Sequence, residues 1–160
     1  MKKVLFVCLG NICRSPMAEG VLNKLLKEKG LEGKILCDSA GTAGYHIGEL
    51  PDFRTRKVCE ENQAPLNHRG RKICKEDLAE FDLLLAMDQA NYYDILHQLA
   101  VKEEDRDRIR LVRSYETGAI ETKEVPDPYY GDMNDFYTVY TMLENACKGL
   151  LQELFPDQEG

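Results

Sequence analysis

Val4-Leu5-Phe6-Val7-Cys8 is an unbroken apolar run, too short for a helix, that ends at Gly10-Asn11. Lys3 to Cys8 is therefore expected to form a buried strand. After a short turn, Ser15 suits an N-cap and Pro16 the first helical position, and Ala18, Val21, Leu22, Leu25 and Leu26 repeat at helical spacing as far as Gly30. Lys34 to Ala40 reads as a second strand closed by Gly41. A loop punctuated by Gly44, Gly48 and Pro51 then leads to a helix from Asp52 to Asn62. Lys75 to Phe81 predicts a short helix, and Asp82 to Met87 brings another apolar run of strand length, with Asp88 placed to cap a helix through Tyr93 and Leu96. The mixed-sign stretch Lys102 to Arg108 reads as a solvated helix or turn, and Ile109 to Val112 as a fourth strand. Met133 to Leu154 predicts a long closing helix with Phe136, Tyr140, Leu143, Cys147, Leu150 and Leu154 on its inner side.

Short apolar strands alternating with helices require a parallel sheet covered on both faces. The expected fold class is α/β: a small doubly wound sheet of four parallel strands, with helices on both faces and any ligand at the carboxyl ends of the strands. The 160 residues suit one domain, 1–160. With 43% hydrophobic and 31% charged residues, the composition argues against disorder and against a disulfide-stapled mini-protein.

The formal net charge of −7 makes a nucleic-acid-coating role a poor fit. The charge is also uneven. Residues 1–36 carry seven Lys/Arg against three Asp/Glu, whereas residues 114–160 carry two against ten. An anion-seeking site is therefore expected near the N-terminus. The basic start and following apolar run have the order of an export signal, but the run is short and leads into Gly10, Asn11 and Arg14. No apolar run approaches the roughly 20 residues that span a bilayer, so no membrane insertion is expected. Six cysteines, at positions 8, 13, 37, 59, 74 and 147, then belong to a reducing cytoplasm, and the question is which of them is reactive.

Cys8-Leu9-Gly10-Asn11-Ile12-Cys13-Arg14-Ser15 joins the first strand to a helix N-terminus, where unpaired N–H groups converge into a natural anion site. Gly10 and Asn11 tolerate the positive φ that a tight loop needs. Arg14 adds a planar fork for two oxygens of a tetrahedral oxyanion. Cys8 stands at the loop's entrance, and the thiolate, which such donors favour, is the nucleophilic form. The chemistry suggested is attack of the Cys8 sulfur on a phosphoryl group. A nucleotide-binding P-loop is excluded, because the loop lacks its second Gly and its Lys. No histidine among His46, His68 and His97 has metal-ligand spacing, so neither metal nor cofactor is expected.

VCLGNICRSP resembles the V-C-x5-R-S signature of low-molecular-weight protein tyrosine phosphatases. The resemblance extends through Asp38-Ser39-Ala40-Gly41, His68, Met87-Asp88 and Asp127-Pro128-Tyr129-Tyr130-Gly131, over nearly the whole chain. It implies a flavodoxin-like fold and hydrolysis of phosphotyrosine, and of small aryl phosphates, through a phosphocysteine on Cys8. Asp127, set between two prolines, matches the general acid that protonates the leaving phenolate and then activates water. Leu9, Gly10, Asn11, Ile12, Cys13 and Ser15 match the substrate loop, with Ser15 the hydroxyl that stabilises the Cys8 thiolate as leaving group. Tyr129 and Tyr130 match an aromatic wall beside the phosphotyrosine and candidate phosphorylation sites. Tyr45, flanked by His46 and Leu50, matches a pocket-wall aromatic. Asn11 matches the residue that holds the loop in shape by bonding outward to groups such as Ser39 and His68. Asp88 is by default a helix N-cap, with an indirect role in ordering Arg14. Cys13 matches a second loop cysteine able to trap an oxidised Cys8 as a disulfide.

Within this resemblance, related bacterial arginine phosphatases carry Thr where this chain has Ile12, which favours phosphotyrosine. A thiol-dependent arsenate reductase shares the loop but needs a relay pair of cysteines in mid-chain, and here Cys59 and Cys74 are isolated. The partners implied are a tyrosine-phosphorylated protein or peptide, a phosphate or other oxyanion in the loop, and a cognate tyrosine kinase if the source is bacterial. Tyr129 and Tyr130 could serve substrate binding or self-association, which leaves monomer and weak homodimer both open.

Overall fold

A computed structural model describes residues 1–118 and 120–157. Its sheet holds four parallel strands in the order β2-β1-β3-β4, formed by β1 (Lys2–Cys8), β2 (Ile35–Gly41), β3 (Leu83–Ala86) and β4 (Ile109–Leu111). This is the flavodoxin-like winding. The helices are α1 (Arg14–Glu28), α2 (Phe53–Glu61), α3 (Glu76–Glu80), α4 (Gln89–Gln98) and α5 (Met133–Leu154). Two 3₁₀ turns, Glu103–Arg108 and Val112–Tyr115, bracket β4.

β1 explains why both faces are covered. Its alternate residues Val4, Phe6 and Cys8 enter one core with Met17, Leu22, Phe136, Leu143 and Leu150 of α1 and α5, while Leu5 and Val7 enter a second with Ile95 and Leu99 beside α4. All of these are essentially solvent-free. Each such Leu or Phe contributes roughly 1.5–3 kcal/mol of burial. The long helix runs over the expected span, with Phe136, Tyr140, Leu143, Cys147, Leu150 and Leu151 buried. Its start is fixed by a capping box in which Asp132 and Asp135 each accept the other's backbone N–H.

The start of α1 departs from expectation. Helical geometry begins at Arg14, and Cys13 takes the N-cap position without a side-chain cap. Ser15 is thus already inside the helix, with its hydroxyl turned to Cys8 Sγ instead of to the helix's own amides. Pro16 falls at the third helical residue, still within the first turn, where its missing N–H costs nothing. Asp52 and Asp88 do cap their helices, accepting from Arg54 N and Asn91 N at 2.8 Å each. The charged stretch before β4 is a 3₁₀ turn with no buried residue.

The strand order reverses direction between β1 and β3, so a crevice opens at the carboxyl end of β1. Cys8, the last residue of β1, stands there, paired in register with Gly41 of β2. Gly41 has no alternative: a Cβ would lie 2.6 Å from the Leu9 carbonyl oxygen. Among the described residues no helix is long and apolar enough to cross a membrane.

Candidate active site

The turn from Cys8 to Arg14 is made possible by Asn11, whose φ of 59° is rare outside glycine. The same residue fastens the turn from behind. Its buried side-chain Nδ2 donates to Ser15 Oγ at 2.8 Å and Ser39 Oγ at 3.1 Å, and its Oδ1 accepts from Arg71 N at 3.0 Å and His68 Nε2 at 2.7 Å. Every polar capacity of the amide is spent, so loss of either partner leaves a buried orphan costing roughly 1–3 kcal/mol. The loop's carbonyls are tied to the scaffold as well. Cys8 O and Leu9 O accept from Thr42 N and Ala43 N at 2.9 Å each, Ile12 O from Asp52 N at 2.8 Å, and Cys13 O from Thr55 Oγ1 at 3.3 Å.

Cys8 Sγ accepts from Asn11 N at 3.3 Å and lies 2.9 Å from Ser15 Oγ. Arg14 is only 3% exposed. Its Nη1 donates to Asp88 Oδ2 at 2.7 Å and Val125 O at 3.0 Å, and its Nη2 lies 3.7 Å from Asp127 Oδ2. Burial works against the Arg14 charge, but Cys8, Asp88 and Asp127 outweigh it and raise its pKa further. Asp88 therefore has two duties, capping α4 with one oxygen and orienting Arg14 with the other. The Asp127 carboxylate is 40% exposed, and its Oδ1 accepts from Tyr129 N at 3.1 Å, an Asx turn that leaves Oδ2 facing Arg14. Burial pushes the Cys13 thiol strongly upward, with Asp52, Cys8 and Asp127 adding to the shift and Arg54 opposing it. Cys13 is thereby kept protonated while Cys8 faces the donors.

Cys8, Leu9, Gly10, Ile12, Cys13, Arg14, Tyr45, Asp127, Tyr129 and Tyr130 line one cleft of about 200 Å³. His46 lines it too, whereas Leu50 is not among its lining residues. Tyr129 and Tyr130 meet edge to face at 4.9 Å, and Tyr130 is 94% exposed. Asn11, Ser15, Ser39, His68 and Asp88 stand behind the cleft and hold the loop and Arg14.

Three further residues, Arg54, Glu19 and Arg71, carry no signal of their role in the sequence. Arg54 donates to Tyr129 O and Gly131 O at 2.9 Å each, is held by both oxygens of Asp52, and stacks 4.3 Å from the centre of the Phe136 ring. It joins the segment carrying Asp127 to the start of α2, and Asp52 N joins α2 to the loop at Ile12. In the sequence, Asp52-x-Arg54 signals only a helix start. Glu19 and Arg71 complete the support of Asn11. Ser39 Oγ donates to Glu19 Oε1 at 2.8 Å, and His68 Nδ1 faces Glu19 Oε1 at 3.3 Å and Asp38 Oδ1 at 3.5 Å. The ligand atoms of Glu19, Asp38 and His68 lie within 4.8 Å of one another, a metal-type grouping that spacing along the chain concealed. Here they are engaged with each other, with Ser39 and with Arg71, whose Nε donates to Asp38 Oδ2 at 3.1 Å.

Burial raises the Glu19 pKa to about 7, against the opposing pull of His68, the Ser39 hydrogen bond and Arg71. The folded state thus holds a proton that the unfolded chain releases near pH 4.5. The stability this proton confers is present at low pH and lost as pH rises through 7. We expect Glu19→Gln, which mimics the protonated acid, to flatten that dependence. Against the variant, the unaltered protein should lose on the order of 3 kcal/mol between pH 5 and pH 8. Denaturant unfolding at several pH values measures it; parallel curves for the two proteins would refute the assignment.

A cradle of this kind suits a tetrahedral oxyanion, and it places the molecule among doubly wound α/β proteins with a cysteine-centred anion loop at the end of the first strand. Comparison with known proteins narrows that class. Residues 3–159 match the family described as Low molecular weight phosphotyrosine protein phosphatase. The human protein of that description is 40% identical over 152 residues, 95% of each chain. The crystal structure of a protein tyrosine phosphatase from Entamoeba histolytica with Hepes in its active site superposes with a TM-score of 0.91 at 41% identity, covering 99% of this chain and 100% of that one. A Drosophila arginine phosphatase superposes with a TM-score of 0.88 at 34% identity, covering 97% of this chain and 98% of its own. The chain belongs to the low molecular weight phosphotyrosine protein phosphatase family.

Proposed function

We propose that this single domain hydrolyses phosphotyrosine in proteins or peptides, and small aryl phosphates, through a covalent phosphocysteine on Cys8. One observation carries the reading: Cys8, the Arg14 guanidinium and the Asp127 carboxylate face one small cleft whose other walls are aromatic and aliphatic. The thiolate attacks phosphorus while the P–O bond to the ring breaks, and the departing phenolate takes the proton of Asp127. Water then attacks phosphorus, giving a proton to the Asp127 carboxylate; the new P–O bond forms as the S–P bond breaks, and phosphate leaves to solvent. Cys8 Sγ leaves as a thiolate, stabilised by Asn11 N–H and the Ser15 hydroxyl. With the carbonyls of Cys8, Leu9, Ile12 and Cys13 spent on the scaffold, the remaining loop N–H groups serve the equatorial oxygens, and Arg14 supplies a fork for two of them. The steps require no metal or cofactor.

Ile12 in the cleft wall supports phosphotyrosine over phosphoarginine, a distinction that the shared fold cannot make because an arginine phosphatase also superposes along nearly the whole chain. A cytoplasmic location, a cognate kinase, and a monomer or weak dimer are compatible with this reading. The test is acid quenching of the enzyme during turnover of a radiolabelled phosphotyrosine peptide, with chelator present. Label should be found on the peptide that contains Cys8. Label elsewhere, turnover only with added metal, or faster hydrolysis of the matching phosphoarginine peptide would overturn the proposal.

A further inference from the structure

A second cavity, of about 420 Å³, opens where the first turns of α4, strand β4 and the last turn of α5 meet. It shares no lining residue with the cleft around Cys8. Tyr92 and Tyr93 meet edge to face at 5.3 Å in its wall, and Tyr115 adds a third ring. Tyr115 is held against α5 at Gly149, where any Cβ would collide with the Tyr115 carbonyl oxygen.

The polar groups of this cavity are unequally spent. Ser114 Oγ already donates to Leu111 O at 2.6 Å, and Arg110 Nε to Asp107 O at 2.9 Å. The Tyr115 hydroxyl, by contrast, is buried and its O–H finds no acceptor among the described residues, while the Arg110 guanidinium approaches its oxygen. Burial holds its pKa above the ordinary tyrosine value, with nearby Arg110 only tempering the shift, so the group stays a donor. Arg110 lies over the same ring, 5.8 Å from its centre. Its Nη1 stands 3.9 Å from Glu153 Oε2, beyond hydrogen-bond reach, and the two side chains are 43% and 59% exposed. Such a pair holds little energy and separates easily. The unspent capacity is therefore of the donor kind, one phenol O–H and the outer N–H groups of a guanidinium, beside three aromatic rings. A cation is disfavoured, because Arg110 already occupies the cation's place over Tyr115 and would repel a second positive charge.

We propose that this cavity binds a flat aromatic ring bearing one anionic group, with the ring against Tyr92, Tyr93 and Leu111 and the anion on Arg110 and the Tyr115 hydroxyl. Glu153 swings to solvent as the anion takes its place. The site stands apart from the reading of the Cys8 cleft, although Gln89 on its rim donates its N–H to Glu124, near the foot of the Asp127 segment, at 2.8 Å.

The test is titration of the ¹⁵N-labelled protein with phenylphosphonate, a non-hydrolysable aryl anion, followed by amide shifts. Two sets should saturate separately, one over residues 8–15 and one over residues 110–115 and Gln89. Arg110→Met should weaken the second set at least tenfold and leave the first unchanged, and Tyr115→Phe should weaken the second severalfold within an otherwise unaltered spectrum. The proposal is overturned if amides 110–115 stay still, if they saturate as before in Arg110→Met, if that variant weakens both sets together, or if phenyltrimethylammonium shifts them more strongly than phenylphosphonate.

Discussion

Cys8→Ser is expected to abolish hydrolysis of aryl phosphates, with kcat falling by about 10⁴-fold or more. The change is nearly isosteric, so the fold and the loop should persist. The chemistry should not: a serine hydroxyl needs a base to take its proton, and the neighbours of Sγ are the Asn11 N–H and the Ser15 hydroxyl. Neither is a base. Oxyanion binding should survive, because Arg14 and the loop backbone are untouched. Steady-state kinetics with an aryl phosphate, set beside calorimetric binding of inorganic phosphate, separates the two effects. Retained turnover would remove Cys8 from the mechanism, whereas loss of both turnover and phosphate binding would point to a collapsed loop.

The second large effect is expected at the other side of the cleft. Asp127→Ala should lower kcat/KM for a phosphotyrosine peptide by roughly 10²–10³-fold, within the usual range for a lost general acid. The loss should shrink as the leaving group improves, because a nitrophenolate departs without help and a tyrosine phenolate does not. The geometry accounts for this selectivity. Asp127 Oδ1 is tied to Tyr129 N, while Oδ2 points toward Arg14 at 3.7 Å. A phosphoryl dianion seated on Arg14 offsets that attraction and leaves Oδ2 as the place for the proton. A series of aryl phosphates graded by phenol acidity measures the slope in both proteins; equal slopes would mean that Asp127 gives no proton to the leaving group.

The placement of Asp127 also resolves the uneven charge of the chain. The acidic stretch 114–160 brings its Asp127 segment against the loop of the basic stretch 1–36, so opposite charges that are distant in sequence divide one cleft between them. Arg54 reinforces this crossing by holding Tyr129 O and Gly131 O from α2. Nothing in the sequence around Glu19 announces its surroundings. It falls within an amphipathic helix, where a carboxylate reads as surface, yet it is buried against Ser39 and His68.

Whatever depends on neighbours in the chain can be read from the residues alone. Strand β1, helix α5, the turn at Gly10-Asn11 and the cap at Asp88 follow from residue period, φ preference and short-range hydrogen bonding. Together with the resemblance, these were enough to single out Cys8, Arg14 and Asp127. The tertiary structure alone decided which polar groups meet. It overrode the N-cap preference of Ser15: the helix starts two residues earlier, and the Ser15 hydroxyl lies 2.9 Å from Cys8 Sγ. It brought Glu19 and Arg71 to the Asn11 network and Arg54 to the Asp127 segment. The physical reason is the same in each case: a buried polar group must find its partner somewhere, and which distant residue satisfies it is set by strand order and packing, which leave no periodic trace in the chain.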